Sequence, residues 1–439
     1  MDPMRNSRRL ILPVTALLLA AGLLLDAAPS YAQGMGSGDD AAPRRETRKT
    51  PAMRERIYTL LSEAQACAEL DDVDCAMENL GDVRERDDLN SYEVALMWQM
   101  YAFIYFGQDN YREAIRAYEM VIQQPDLPLG LETSTVFTLT QLYFQQEDYQ
   151  QSLDMLARWF GIAENPGPDP YILRAQIYYQ LQRYREGIEP VLQAIEIAQI
   201  QGKELKENWY RLLNVFYYEL EDYPNVIDVL RTIINSWSKR EYFLQLSAMY
   251  GQEGESDKQL ALYETAFEAG WLQRSSEYVN LSQLFLQAET PVKAALLMQA
   301  GLSEGIVEST ESNWRILAQA WQLAREDEKA IPALSHAAGL SDSGELNLRL
   351  AQSHQNLAQW QDCIDAAREG LRKGELRRAD QGNMILGACL FELDEYTQAR
   401  TAFEAAEKDS RSRTNARSWI QYVNSEETRE RQLQAALRR

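Results

Sequence analysis

The chain repeats itself. A set of large and small apolar residues at fixed spacing recurs every 33 to 39 residues through most of its length. The clearest copy holds Trp98, Ala102, Tyr105, Tyr111, Ala114, Tyr118 and Val121. Three- and four-residue intervals on either side of a polar break describe two helices joined by a turn. The small residues let the two helices approach closely, and the large ones fill the space around that contact. One such hairpin cannot bury its apolar face alone, so the copies must stack into an elongated array. An array of this kind offers an interaction surface rather than an enclosed catalytic pocket.

The spacing matches the 34-residue helix–turn–helix unit of the tetratricopeptide repeat (TPR), in which these residues fill positions 4, 8, 11, 17, 20, 24 and 27. With Tyr111 at position 17, the equivalent residues are Val73, Tyr149, Tyr184, Tyr223, Ser256, Pro291, Asp327, Trp360 and Tyr396. Position 20 then reads Ala76, Ala114, Ser152, Gly187, Val226, Gln259, Ala294, Ala330, Cys363 and Ala399, with Val226 and Gln259 as the poor matches. Polar stretches such as Gly107-Gln108-Asp109-Asn110 and Gln145-Gln146-Glu147-Asp148 fall between the paired helices, where turn residues belong. Pro125, Pro128, Pro166, Pro168 and Pro170 fall between units, where a missing amide donor does little harm. The expected fold is all-α: a TPR-type right-handed superhelix of about ten hairpins over residues 54–410. Residues 411–439 form a C-terminal capping helix with a basic tail, and Trp419, Ile420, Tyr422 and Val423 are placed to cover the end of the stack.

Residues 1–32 read as a signal peptide: Arg5, Arg8 and Arg9 precede an apolar run from Leu10 to Leu25, and Ser30-Tyr31-Ala32 offers small residues for cleavage before Gln33. The run is short for a membrane span, although an uncleaved form would associate with the inner membrane. Residues 33–53, poor in bulky apolar groups, read as a flexible leader. The expectation is an exported chain working in the periplasm. Without residues 1–32 it carries 41 basic against 64 acidic side chains, a net charge of −23. Such acidity opposes nucleic-acid binding and suits a basic protein partner, as well as simple solubility.

Cys67 and Cys75, at positions 11 and 19, flank the turn of the first hairpin. They form either a bridge that staples the terminal unit or two buried thiols. Cys363 and Cys389 lie at core-like positions of consecutive units and read as unpaired packing residues. The two histidines, His336 and His354, have no cysteine or carboxylate at metal-ligand spacing. Asp71-Asp72-Val73-Asp74 lacks the glycine and distal glutamate of a calcium loop. With no nucleophile elbow, phosphate loop or dinucleotide fingerprint in the sequence, the chain is expected to be no enzyme, with no cofactor and no small-molecule substrate.

The groove of such an array is lined mainly by positions 5, 9, 12 and 13 of each first helix. Position 9 gives Phe103, Gln141, Gln176, Val215, Ala248, Gln283, Gln319 and Gln352; position 12 gives Phe106, Phe144, Tyr179 and Tyr218 before turning to Gly251, Leu286, Gln322 and Gln355. A primary amide donates and accepts at once, so a lane of glutamines can track an extended backbone while the aromatics grip proline or other apolar side chains. The competing reading is that position 12 packs against the neighbouring unit and glutamine merely favours helix.

Several blocks resemble the periplasmic TPR component of gamma-proteobacterial TonB systems. They are Leu127-Pro128 with Glu132; Gln141-Leu142-Tyr143-Phe144 with Glu147-Asp148-Tyr149; Trp159-Phe160; and Tyr171-Ile172-Leu173-Arg174-Ala175-Gln176. Further on come Trp209-Tyr210 with Tyr217-Tyr218-Glu219, Gln245-Leu246-Ser247-Ala248-Met249-Tyr250-Gly251, and Gly344-Glu345-Leu346 with Arg349-Leu350-Ala351-Gln352. The resemblance covers about residues 90–425 and leaves the first unit, with its two cysteines, unmatched. It implies a non-catalytic scaffold beside TonB, ExbB and ExbD in proton-gradient-driven outer-membrane uptake of ferric siderophores or haem, contacting periplasmic segments of TonB or ExbD. The alternative role is an adaptor in envelope or peptidoglycan assembly, holding a synthase, hydrolase or secretion component.

Overall fold

The computed structural model describes residues 51–437; the signal segment, residues 33–50 of the leader, and Arg438 and Arg439 lie outside the described residues. Twenty-one helices and no strand make up the described chain. They pair as α1 (Glu55–Glu69) with α2 (Val73–Arg84), α3 (Ser91–Gly107) with α4 (Tyr111–Ile122), and α5 (Leu129–Gln145) with α6 (Tyr149–Ile162). Next come α7 (Pro168–Gln180) with α8 (Tyr184–Ile200), α9 (Glu207–Glu219) with α10 (Tyr223–Ser236), and α11 (Arg240–Gln252) with α12 (Ser256–Glu268). Then follow α13 (Ser275–Gln287) with α14 (Pro291–Ser303), and α15 (Glu311–Leu323) with α16 (Asp327–Leu340). The last pairs are α17 (Glu345–Asn356) with α18 (Trp360–Lys373) and α19 (Ala379–Glu392) with α20 (Tyr396–Glu407), before the single helix α21 (Arg413–Leu437). Each helix packs chiefly on its neighbours in sequence, as in a TPR-type solenoid. The residue assigned to position 17 opens the second helix of all ten hairpins.

The close approach inside each hairpin lies where small residues sit. At position 20, every residue except half-buried Gln259 is buried. Position 8 reads Ala64, Ala102, Thr140, Ala175, Asn214, Ser247, Ser282, Ala318, Ala351 and Gly387, all buried but Asn214. Hydroxyls at these two positions donate straight across the contact: Ser152 Oγ to the carbonyl of Thr140 at 2.8 Å, Ser247 Oγ to that of Gln259 at 2.8 Å, and Ser282 Oγ to that of Ala294 at 3.3 Å. Such bonds need backbones close enough for a one-carbon hydroxyl side chain to span them.

The turns are built one way throughout. Position 15 has positive φ in all ten hairpins: Asp71, Asp109, Glu147, Gln182, Glu221, Gly254, Glu289, Arg325, Ala358 and Asp394. One residue later the amide donates back to the carbonyl of position 11, as in Asn110 to Tyr105 at 2.9 Å, Asp148 to Tyr143 at 2.9 Å and Gln359 to His354 at 2.9 Å. This left-handed helix stop satisfies carbonyls that would otherwise be orphaned. The same position 16 then starts the next helix: the carboxylates of Asp72, Asp148 and Asp222 and the amide of Asn110 accept from the backbone three residues on.

Two sequence expectations change. Pro168 and Pro170 lie in the first turn of α7 rather than in a loop, a position where the missing amide has no intrahelical partner. Cys363 and Cys389 are joined in a disulfide with Cα atoms 6.3 Å apart, not left as separate thiols. The reason is geometric: position 20 of one unit faces position 10 of the next. Gly187 and Phe216 occupy the same two positions, and a Cβ on Gly187 would lie 2.4 Å from the Phe216 ring. Cys67 and Cys75 are also bonded, across the turn from α1 to α2, with Cα atoms 5.8 Å apart. At the far end Val423 of α21 is buried, and Trp419 stacks on Phe403 at 5.2 Å. Tyr422 stays half exposed beside Phe391, at 5.1 Å.

Candidate partner-binding face of the first helices

Equivalent positions of successive first helices form a lane along the array. At position 9, Phe103, Gln141, Ala248, Gln283, Gln319 and Gln352 are exposed, while Gln176 and Val215 are half-buried. Phe103 stands out, with 44% of an aromatic side chain in solvent. The Gln352 amide donates to Gln355 Oε1 at 2.9 Å and Asn356 Oδ1 at 3.1 Å, which occupies it within its own helix.

Position 12 is different in kind. Phe106, Phe144, Tyr179 and Tyr218 are half-buried, each against the tyrosine that opens its partner helix. Ring centroids lie 5.6 Å apart for Phe106–Tyr111, 5.5 Å for Phe144–Tyr149, 6.1 Å for Tyr179–Tyr184 and 6.4 Å for Tyr218–Tyr223. Most of these pairs meet edge to face, the arrangement that ring quadrupoles favour. The rings therefore brace the hairpin and show only part of themselves to the lane.

Two features of this region went unread in the sequence. A concavity of about 460 Å³ opens between α5 and α6, lined by Leu129, Gly130, Thr133, Ser134, Phe137, Trp159, Ile162 and Glu164. Its aromatic wall continues outward through Phe137–Trp159 at 5.1 Å, Trp159–Phe160 at 5.3 Å and Phe160–Tyr171 at 4.7 Å, with the Arg174 guanidinium over Phe160. Phe137 at position 5 was the available signal. The second feature is polar. Arg349 Nε donates to Gln322 Oε1 at 3.1 Å; Gln322 Nε2 donates to Ser353 Oγ at 3.0 Å; Ser353 Oγ donates to Asp327 Oδ1 at 2.6 Å. Asn356 Nδ2 completes the chain on Asp327 Oδ2 at 2.8 Å. Burial and the charge of Arg315 both push the Arg349 guanidinium below its ordinary value.

Ion pairs brace the array elsewhere, both between units and within them. Arg54 bonds the fully buried carboxylate of Glu93 and holds it down at about 2. Arg158 pairs with Glu132 at 2.8 Å, and Arg378 with the buried Asp380 at 2.6 Å. Of the histidines, His336 stacks on Trp314 at 4.4 Å and His354 Nδ1 lies 2.7 Å from Gln359 Oε1. Among the described residues no cluster of histidine, cysteine and carboxylates could hold a metal ion, and no helix is long and apolar enough to cross a membrane.

No protein-family model matches the sequence, and no curated protein matches it. Among solved structures, a tetratricopeptide repeat protein from Parabacteroides merdae is 16% identical, with a TM-score of 0.34, over 61% of this chain and 99% of that one. YrrB, described as a TPR protein with an unusual peptide-binding site, is 13% identical over 43% of this chain and 95% of its own, with a TM-score of 0.35. The TPR2AB domain of yeast Sti1, solved with an Hsp90 peptide, is 10% identical over 67% and 99%, with a TM-score of 0.25. At that degree of similarity they bear on neither partner nor role.

Proposed function

We propose that this chain is a protein-interaction scaffold whose first-helix lane holds an extended segment of a partner, and that it serves a TonB-type outer-membrane uptake system from the periplasm. The observation that carries the binding reading is the set of exposed position-9 side chains, Phe103 and Gln141 on the second and third units and Gln283, Gln319 and Gln352 on the seventh to ninth, at equivalent places on their first helices. Repeated amides at solenoid spacing suit a partner that is itself extended, because each unit meets a new stretch of backbone. The chain's net charge of −22 favours a basic segment and speeds the encounter. The TonB assignment rests on the resemblance of residues 90–425, and the periplasmic one on the signal-like first 32 residues.

Photo-crosslinking in intact cells tests both parts. A crosslinker placed at Phe103 or Gln141 should capture a periplasmic segment of TonB or ExbD. One at Leu296, equally open to solvent but on a second helix, should not. Capture of cell-wall synthases or secretion components from the lane would replace the transport role with an envelope-assembly one. Capture from Leu296 alone would remove the lane from the mechanism. The contact term can be read separately: Phe103→Ala should weaken binding of the captured segment by about 1–2 kcal/mol, in the range of a single aromatic anchor, with an unchanged melting curve.

A further inference from the structure

We propose that Arg349 is a preformed fork for a carboxylate, supplied by an extended protein segment lying along the first helices of the eighth and ninth units. The inference shares its surface with the reading above and requires a bound segment there, but not a TonB-class partner.

The argument begins with a missing counter-ion. Acidic side chains outnumber basic ones 66 to 44 in this sequence. Five arginines that reach into the array meet them: Arg54 with Glu93, Arg158 with Glu132, Arg240 with Glu277, Arg378 with Asp380 and Arg400 with Glu427, whereas half-buried Arg86 and Arg174 form no ion pair among the described residues. Arg349 is half-buried too, yet its bonds go to the neutral amide of Gln322 and to no carboxylate among the described residues. Removing a charge from water without an opposite partner is costly, and a neutral side chain would fill the site without that cost.

The remaining donors are aimed. A guanidinium has five N–H groups. Gln322 Oε1 takes the one on Nε and one on Nη2, which leaves both on Nη1 and the second on Nη2. That is the edge that grips a carboxylate through two parallel bonds. Its direction is fixed, because Gln322 is tied to the fully buried Ser353, and Ser353 to Asp327. Both Asp327 oxygens are already engaged, by Ser353 and by Asn356, so that carboxylate is held as a strut. Arg315, from the preceding unit, adds a second positive charge that disfavours the charged Arg349 while bonding Glu311 at 3.3 Å. A carboxylate on the free edge of Arg349 would offset both the repulsion and the cost of burial. The exposed side chain of Gln319 lies at position 9 of the neighbouring first helix, beside the place where the segment's backbone would run. The carboxylate could come from an aspartate or glutamate side chain or from a chain terminus, with the same chemistry.

Full-length protein labelled with ¹⁵N-arginine tests this directly. Titration with sodium acetate should move the Arg349 Nε–Hε resonance saturably, whereas sodium chloride at matched ionic strength should not. Equal, linear shifts in the two salts would overturn the proposal without recourse to any variant. Three Gly/Ser peptides then separate the sources: one with a free C-terminus and no acidic residue, one amidated with a central glutamate, and one amidated with glutamine there. At least one of the first two should bind about tenfold or more tightly than the third, by the worth of a charge-assisted pair. Arg349→Gln should erase that preference, and Arg349→Lys should lose most of it, since a point charge lacks the fork. Three equal affinities, or a preference that survives Arg349→Gln, would refute the assignment. Acetate engagement with no TonB-system crosslink would discard the transport role and leave the fork standing.

Discussion

Replacing Glu147 by glycine should stabilise this protein, and replacing Glu196 by glycine should destabilise it. Glu147 stands at position 15 of the third hairpin with φ of 62°, exposed and in the left-handed region. A side chain there costs roughly 1–2 kcal/mol from the clash of Cβ with the following carbonyl. Glycine removes that cost but gives back some of it as extra freedom in the unfolded chain. The net gain is about 0.5–1.5 kcal/mol. Glu196 is equally exposed but lies inside α8, where glycine costs about 0.5–1 kcal/mol in a helix interior. Chemically identical substitutions should therefore differ by about 1–2.5 kcal/mol in opposite directions. A ten-hairpin solenoid does not unfold in one step, so the assay is native-state hydrogen exchange, corrected for intrinsic rates. The reporter for the turn is the Asp148 amide, which donates to the Tyr143 carbonyl at 2.9 Å. Slower exchange there in Glu147→Gly, with faster exchange along α8 in Glu196→Gly, is the expected result. Destabilisation by both would show that position 15 is not left-handed in solution.

Ala114 is fully buried at the helix–helix contact, so Ala114→Trp should cost at least about 1–3 kcal/mol and lower the melting midpoint; an unchanged midpoint would place the contact elsewhere. Non-reducing intact mass after alkylation should show no free thiol. Cys363→Ala with Cys389→Ala should remove about 3.5 kcal/mol of loop-closure stabilisation, given the 26-residue separation, read as earlier melting or proteolysis of the last two units. Glu93 keeps a folded-state value of about 2, below its unfolded one, because Arg54 bonds the charged form. Its contribution is present above the unfolded value and is lost as pH falls through the range from about 4.5 to 2. Glu93→Gln should flatten that part of the stability–pH curve, and an unaltered slope would remove the ion pair from acid unfolding.

The hairpin register was legible because it is a packing constraint that sequence must obey. Close contact favours small residues at positions 8 and 20, and the position-17 residue lands on the first residue of every second helix from Val73 to Tyr396. The turn conformation was not legible, since Gly254 is the one glycine among the ten left-handed residues and, apart from Asp71, Asp109 and Asp394, the others, such as Arg325 and Ala358, carry no compositional mark. The disulfide between Cys363 and Cys389 was missed because it depends on contact between units, while the repeat pattern reports contact within them. The same holds for Arg349, whose partner Gln322 belongs to the preceding hairpin. Position 9 needed helical register alone; position 12 needed to know what the next helix presents to it.

That dependence explains why the lane changes character along its length. Positions 12 and 17 form one structural station, five residues apart across each turn. In the second to fifth units, and again in the tenth with Phe391 against Tyr396 at 5.8 Å, the station is a pair of rings that close on each other. In the eighth unit the same station holds Gln322 and Asp327, which have no ring face to offer and instead bond outward to Arg349, Ser353 and Asn356 of the next first helix. Aromatic stations close first on their own hairpin, with Tyr179 and Tyr184 also meeting Phe216 of the next unit at 6.4 Å, and leave position 9 as the exposed part of the lane. A polar station spends its contacts between hairpins and orients a charge. A partner laid along the whole lane would thus meet the exposed Phe103 and an aromatic-walled concavity near one end and a fixed guanidinium near the other. The order of apolar and acidic groups in its sequence would set the direction in which it binds.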